Sequence, residues 1–127
     1  METLPLPKVP ENAPIYESWD RAAKRLLSTL WKCSQAWIFH EPVDPDRLGI
    51  PDYLTIVKTP MDFGTIKQRL HSNSHYHRMQ DFLDDMELVF ENCRRFNGEE
   101  SSVGRMCRAV REEFRRLYDQ LNIEFYL

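Results

Sequence analysis

Apolar residues recur along this chain at spacings of three and four, the mark of helices that each bury one stripe. The first run is Trp19, Ala22, Ala23, Leu26, Leu27, Leu30 and Trp31, with Lys24, Arg25 and Ser28 on the other face. It predicts a helix over 15–36, opened by Pro14, because proline suits a first helical turn. A short second helix is expected over 63–71, capped by Asp62, with Phe63, Ile66 and Leu70 inward. Gly64 weakens it by up to about 1 kcal/mol relative to alanine, so tertiary packing must hold it. A third helix is expected over 78–96, with Met79, Phe82, Leu83, Met86, Val89, Phe90, Cys93 and Phe96 inward. Asp81, Asp84, Asp85, Glu91, Arg95 and a lone Leu88 fall outward, and Asn97-Gly98 ends the run. The fourth starts at Ser101 or Ser102, either a good N-cap, with the stripe Val103, Met106, Cys107, Val110, Phe114, Leu117, Tyr118 and Leu121. With no strand pattern of comparable strength, the chain reads as an all-α four-helix bundle with one long connection between its first two helices.

That connection, Trp37 to Asp62, is unusual. Pro42, Pro45, Pro51 and Pro60 exclude a continuous helix and leave room for one helical turn near 52–57. Yet it is rich in Trp37, Ile38, Phe39, Val43, Leu48, Ile50, Tyr53, Leu54, Ile56 and Val57, a composition that disordered segments lack. Long ordered connections tend to carry function. The other four prolines fall in residues 1–14, which read as an extended arm.

Composition narrows the picture. A length of 127 residues predicts one domain with its own core. A net charge of −3 disfavours a dedicated nucleic-acid binder and suits a basic partner. Arg94, Arg95, Arg105 and Arg108 leave room for a local basic patch. No apolar run reaches membrane-helix length and the first ten residues lack a signal-peptide core, which predicts an intracellular protein with no membrane partner. Cys33, Cys93 and Cys107 are odd in number and form no CxxC pair, so buried free thiols are expected.

Two polar residues stand out against the apolar pattern. Asn97 continues the inward face of the third helix through Cys93, Phe90, Met86 and Phe82; alone it reads more simply as a C-cap. Tyr53 lies among apolar loop residues; alone it reads as a core-filling tyrosine with a wet hydroxyl. Together they suggest a pocket with apolar walls, one amide and one hydroxyl. Such a site suits a neutral, amide-like group on an aliphatic stem and disfavours an unpaired ammonium. An enzyme would need His40 and Glu41 as an acid–base pair, or Cys93 as nucleophile, and neither has a partner at recognisable spacing. His71, His75 and His77 lack a local fourth ligand and read as solvated, so no metal or other cofactor is expected.

These residues carry a family resemblance. The stretch WIFHEPVD…IPDYLTIVKTPMDFGTIKQRL, with FENCRRFN after it, resembles a bromodomain, its loop closest to the BET group. The resemblance covers about 15–121 and implies a left-handed four-helix bundle that reads acetyl-lysine at one end. It assigns the acetyl-carbonyl donor to Asn97 and the water-bridging hydroxyl to Tyr53. Trp37, Ile38 and Phe39 take the place of a Trp-Pro-Phe shelf; Val43, Leu48 and Ile50 match the loop wall. Phe96 flanks the asparagine, and Val103 matches the gatekeeper. Two positions depart from the family pattern: Ile38 replaces the shelf proline, and Phe96 replaces a tyrosine. The resemblance implies a non-catalytic, nuclear, monomeric chromatin reader of acetylated histone tails of the H4 and H3 type. Acetyl-lysine-mimetic small molecules are further expected ligands. The bromodomain is placed at 15–124, with the arm at 1–14 and a tail at 125–127. The competing expectation is a helical protein-docking module indifferent to acetylation. Glu41, Asp44, Asp46, Asp52, Glu99 and Glu100, in the two loops flanking the pocket, would favour a basic peptide.

Overall fold

The computed structural model describes residues 17–127; the expected arm at 1–14 and the Pro14 helix start lie outside the described residues. Six helices follow in chain order: α1 (Trp19–Trp31), α2 (Pro45–Leu48), α3 (Tyr53–Ile56), α4 (Phe63–Ser72), α5 (Met79–Asn97) and α6 (Ser102–Gln120). The four long ones form the bundle. α1 packs on α4, α5 and α6, and α5 packs on α4 and α6. No strand occurs among the described residues.

The expected stripes meet in one core. Leu26, Leu30, Phe63, Ile66, Met79, Phe82, Met86 and Val110 are fully or almost fully buried. Asp62 caps α4 as expected: its carboxylate accepts the Thr65 N–H at 2.9 Å and the Thr65 hydroxyl at 2.6 Å. Ser101 caps α6 by accepting the Gly104 N–H at 2.9 Å. Gly64 has a reason to be glycine that its low helix propensity hides. A Cβ there would lie 2.4 Å from the backbone oxygen of His40, so the loop rests directly on α4.

Four details differ from the sequence reading. The first helix ends at Trp31, not at 36. Lys32 and Cys33 donate back three residues, to Thr29 and Leu30, which tightens and closes the last turn. A 3-10 turn, Ala36–Phe39, then sends Ala36 and Phe39 into the core. Within the loop, α2 is an additional helical turn. Asp44 caps it, Pro45 opens it, and Gly49 closes it in the left-handed region. Beyond Leu121, a second 3-10 turn, Ile123–Tyr126, packs on α1 and α6 and buries Ile123 completely. Finally, Leu88 is half-buried where outward exposure was expected, and Cys33 is half-buried where full burial was expected.

At the end of the bundle away from Asn97, Asp85 on α5 ties the connection before it to α4. It accepts from the buried Tyr76 hydroxyl and from Arg69 at 2.7 Å. Burial, followed by the hydrogen bond to Asp85 and that residue's charge, raises the Tyr76 hydroxyl above the ordinary tyrosine value. The folded protein therefore favours neutral Tyr76. That contribution is fully present below the unfolded pKa, about 10, and is lost as pH rises above it. Thermal melts should show stability falling above about pH 10, and Tyr76→Phe should flatten that fall at the cost of about 1 kcal/mol near neutrality. An unchanged alkaline slope in the variant would refute this role.

Candidate functional site

The loop, the last turns of α5 and the first turn of α6 enclose a cleft of about 430 Å³, within the range of small-ligand sites. Every residue expected at the site borders it: Trp37, Ile38, Phe39, Val43, Leu48, Ile50, Tyr53, Phe96, Asn97 and Val103. Met61, Asp62, Val89 and Cys93 line it as well. The last two lie on the inward stripe of α5, and their pattern was visible as core without being visible as cleft.

The walls differ in depth. Phe39 and Tyr53 are buried, and Ile38, Val43, Ile50 and Phe96 are half-buried. Trp37 at 64%, Leu48 at 56% and Val103 at 38% are exposed, and so form the mouth of the cleft.

Asn97 is the last residue of α5, with Gly98 as C-cap. Its Nδ2 donates to the Cys93 carbonyl at 3.0 Å and lies 3.6 Å from the Cys93 sulfur. Both contacts of the Nδ2 group go to Cys93, and they orient the amide on its own helix. The loop that follows is held by a close approach. A Cβ on Gly104 would lie 1.9 Å from the Gly98 carbonyl oxygen, which only glycine in α6 permits.

Tyr53 opens α3, and its ring packs on Phe96 with centroids 5.0 Å apart. Its hydroxyl has no protein hydrogen-bond partner among the described residues. Burial, with Cys93 adding to it, raises the Tyr53 hydroxyl above the ordinary tyrosine value and keeps it a neutral donor. The side chains that converge here thus offer an oriented amide, a neutral hydroxyl and apolar walls. This arrangement can desolvate an aliphatic stem and satisfy one carbonyl.

Sequence reasoning missed the brace behind the loop. Asn92, 6% exposed, donates from its side chain to the Thr59 carbonyl at 2.7 Å. This bond fixes the loop's return segment against α5. Asn92 lies beside the inward stripe, and its partner is far away in sequence, so periodicity gave no sign of it.

The other candidates resolve more simply. His40 stacks on Trp31 with centroids 3.9 Å apart, and its Nε2 lies 3.0 Å from the Trp31 carbonyl oxygen. Of the four arginines near the α5–α6 connection, Arg94 and Arg95 pair with Glu91, and Arg108 with Glu100. The described residues hold no group of three His, Cys, Asp or Glu side chains arranged for a metal, and none of their helices is long and apolar enough to cross a membrane.

With this geometry in view, the comparisons with known proteins are direct. The chain belongs to the bromodomain family, whose model matches residues 23–109, and so to a class of acetyl-lysine reader modules found in chromatin proteins. Among curated relatives, it is 53% identical over 83 residues to the SWR1 complex bromodomain subunit bdf1 of Schizosaccharomyces pombe. It is 46% identical over 83 residues to bromodomain-containing protein C631.02 of the same organism. Each match covers 65% of this chain but only 14% and 11% of those proteins.

Proposed function

We propose that this chain binds acetylated lysine in histone tails through the Asn97 cleft, as a non-catalytic nuclear module that links acetylation to transcription. The observation that carries this reading is an amide held by its own helix beside a neutral hydroxyl in an apolar cleft. Acetylation removes the lysine charge and adds a carbonyl. The modified side chain then enters at small desolvation cost, with Asn97 donating to the carbonyl and Tyr53 reaching it through a water. One polar anchor and modest apolar burial predict micromolar or weaker affinity, about −8 kcal/mol at most.

Exposed acids near the mouth, Glu41 and Asp44 among the lining residues, would draw in Lys/Arg-rich tails of the H4 or H3 type. Acetyl-lysine-mimetic small molecules would occupy the same cleft. The reading takes 15–124 as the module, acting as a monomer. Titrating one histone-tail peptide in acetylated and unmodified forms tests it. Binding only to the acetylated form is expected; equal binding would favour a docking module blind to acetylation. Tyr53→Phe should keep the ring packing on Phe96 while weakening the acetylated peptide by roughly three- to tenfold. Unchanged affinity in that variant would remove the hydroxyl from the mechanism.

A further inference from the structure

A second cleft, of about 190 Å³, lies between α1 and α4 and shares no lining residue with the first. Its apolar surface is Leu27, Trp31 and Leu70. Around it stand Lys24, Lys32, Lys67 and His71, and no carboxylate of the described residues lines it. In a chain of net charge −3, this is a local reversal of sign. The cations are little used by the fold. The Lys67 ammonium sits 5.1 Å from the Trp31 ring centroid, and Lys24 reaches Asp20 only at 3.8 Å. Lys32 is exposed and has no ion pair among the described residues. The His71 Nδ1 donates to the Lys67 carbonyl at 2.8 Å, because a carbonyl can only accept; Nε2 is left for another partner.

We infer that this cleft docks an acidic segment of a partner protein, seating one aliphatic or aromatic side chain between α1 and α4 while its carboxylates face Lys24, Lys32 and Lys67. Size and charge argue together for that occupant. The cleft is smaller than a drug-sized pocket and suits a single side chain. Its apolar surface gains nothing from a phosphate backbone, which needs cations alone. The charge pattern also separates the two sites: an acidic mouth at the Asn97 cleft selects basic tails, and this basic rim selects acidic ones.

The test uses fluorescein-labelled acidic peptides, each with one Leu, Phe or Trp among Asp and Glu, read by anisotropy on the whole chain. Saturable binding is expected. It should weaken about tenfold or more when the apolar residue becomes alanine or when Lys32→Glu and Lys67→Glu are combined. Lys32→Ala alone, an exposed change, should give a smaller loss. Retained acetyl-peptide binding by each variant shows that the fold and the Asn97 cleft are intact. The inference is overturned if no peptide of the set binds, if charge reversal leaves affinity unchanged, or if the apolar residue is dispensable. It is also overturned if duplex DNA competes for the same lysines more strongly than the peptides do.

Discussion

Asn97→Ala is expected to give a folded protein that has lost its grip on acetylated peptide. Among the described residues the side chain bonds only to Cys93, on its own helix, so removing it breaks no tie between their elements. Melting temperature should therefore change by no more than a few degrees. The ligand suffers differently. Its carbonyl would lie in an apolar cleft without its direct donor, and an under-satisfied buried acceptor costs about 1–3 kcal/mol. That is roughly five- to 150-fold in affinity, enough to move a micromolar complex toward the millimolar range. Thermal melts check the first half, and calorimetric titration of both proteins checks the second. Undiminished affinity would place the acetyl group elsewhere.

Phe63→Ala is expected to have the largest effect on stability. Phe63 is fully buried at the first position of α4, where the long loop ends. Its ring lies 5.2 Å from that of Phe39 in the loop and 6.1 Å from that of Phe90 on α5. Truncation would leave a cavity where three segments meet, at a cost of about 3–5 kcal/mol. Against a typical total of 5–15 kcal/mol, that is a large fraction. A fall in melting temperature of more than about 10 °C should follow in a domain of this size. Because Phe39 borders the cleft, peptide affinity should fall as well. Phe63→Leu, which keeps most of the volume, should be milder on both counts. A melt unchanged by Phe63→Ala would mean that the three aromatic rings do not hold the loop.

The bundle was legible in the sequence because its helices are strongly periodic. Met79, Phe82, Met86 and Phe90 mark a face that needs no partner information to recognise. Asn97 was legible for the same reason, as a polar residue in register with that face. The loop was harder to read. Its prolines read as breakers of a continuous helix, whereas Pro45 after Asp44 opens a helical turn, and Gly49 closes it. Contacts between distant residues left no local trace. The Asn92–Thr59 bond and the close approach of Gly64 to His40 depend on how α4, α5 and the loop come together. The same holds for Ile123, buried by a turn whose pattern is too short to carry a period. The basic cleft between α1 and α4 also escaped periodic reading, since Lys24, Lys32 and Lys67 are ordinary surface lysines until two helices bring them together.

The most direct test of the central claim is nuclear magnetic resonance of the nitrogen-labelled chain during titration with one peptide in two forms. With the acetylated form, the Asn97 side-chain amide and the backbone amides of Val43, Tyr53 and Val103 should shift together and saturate. With the unmodified form they should stay in place. Equal shifts from both peptides, or shifts confined to residues away from Asn97, would contradict the account.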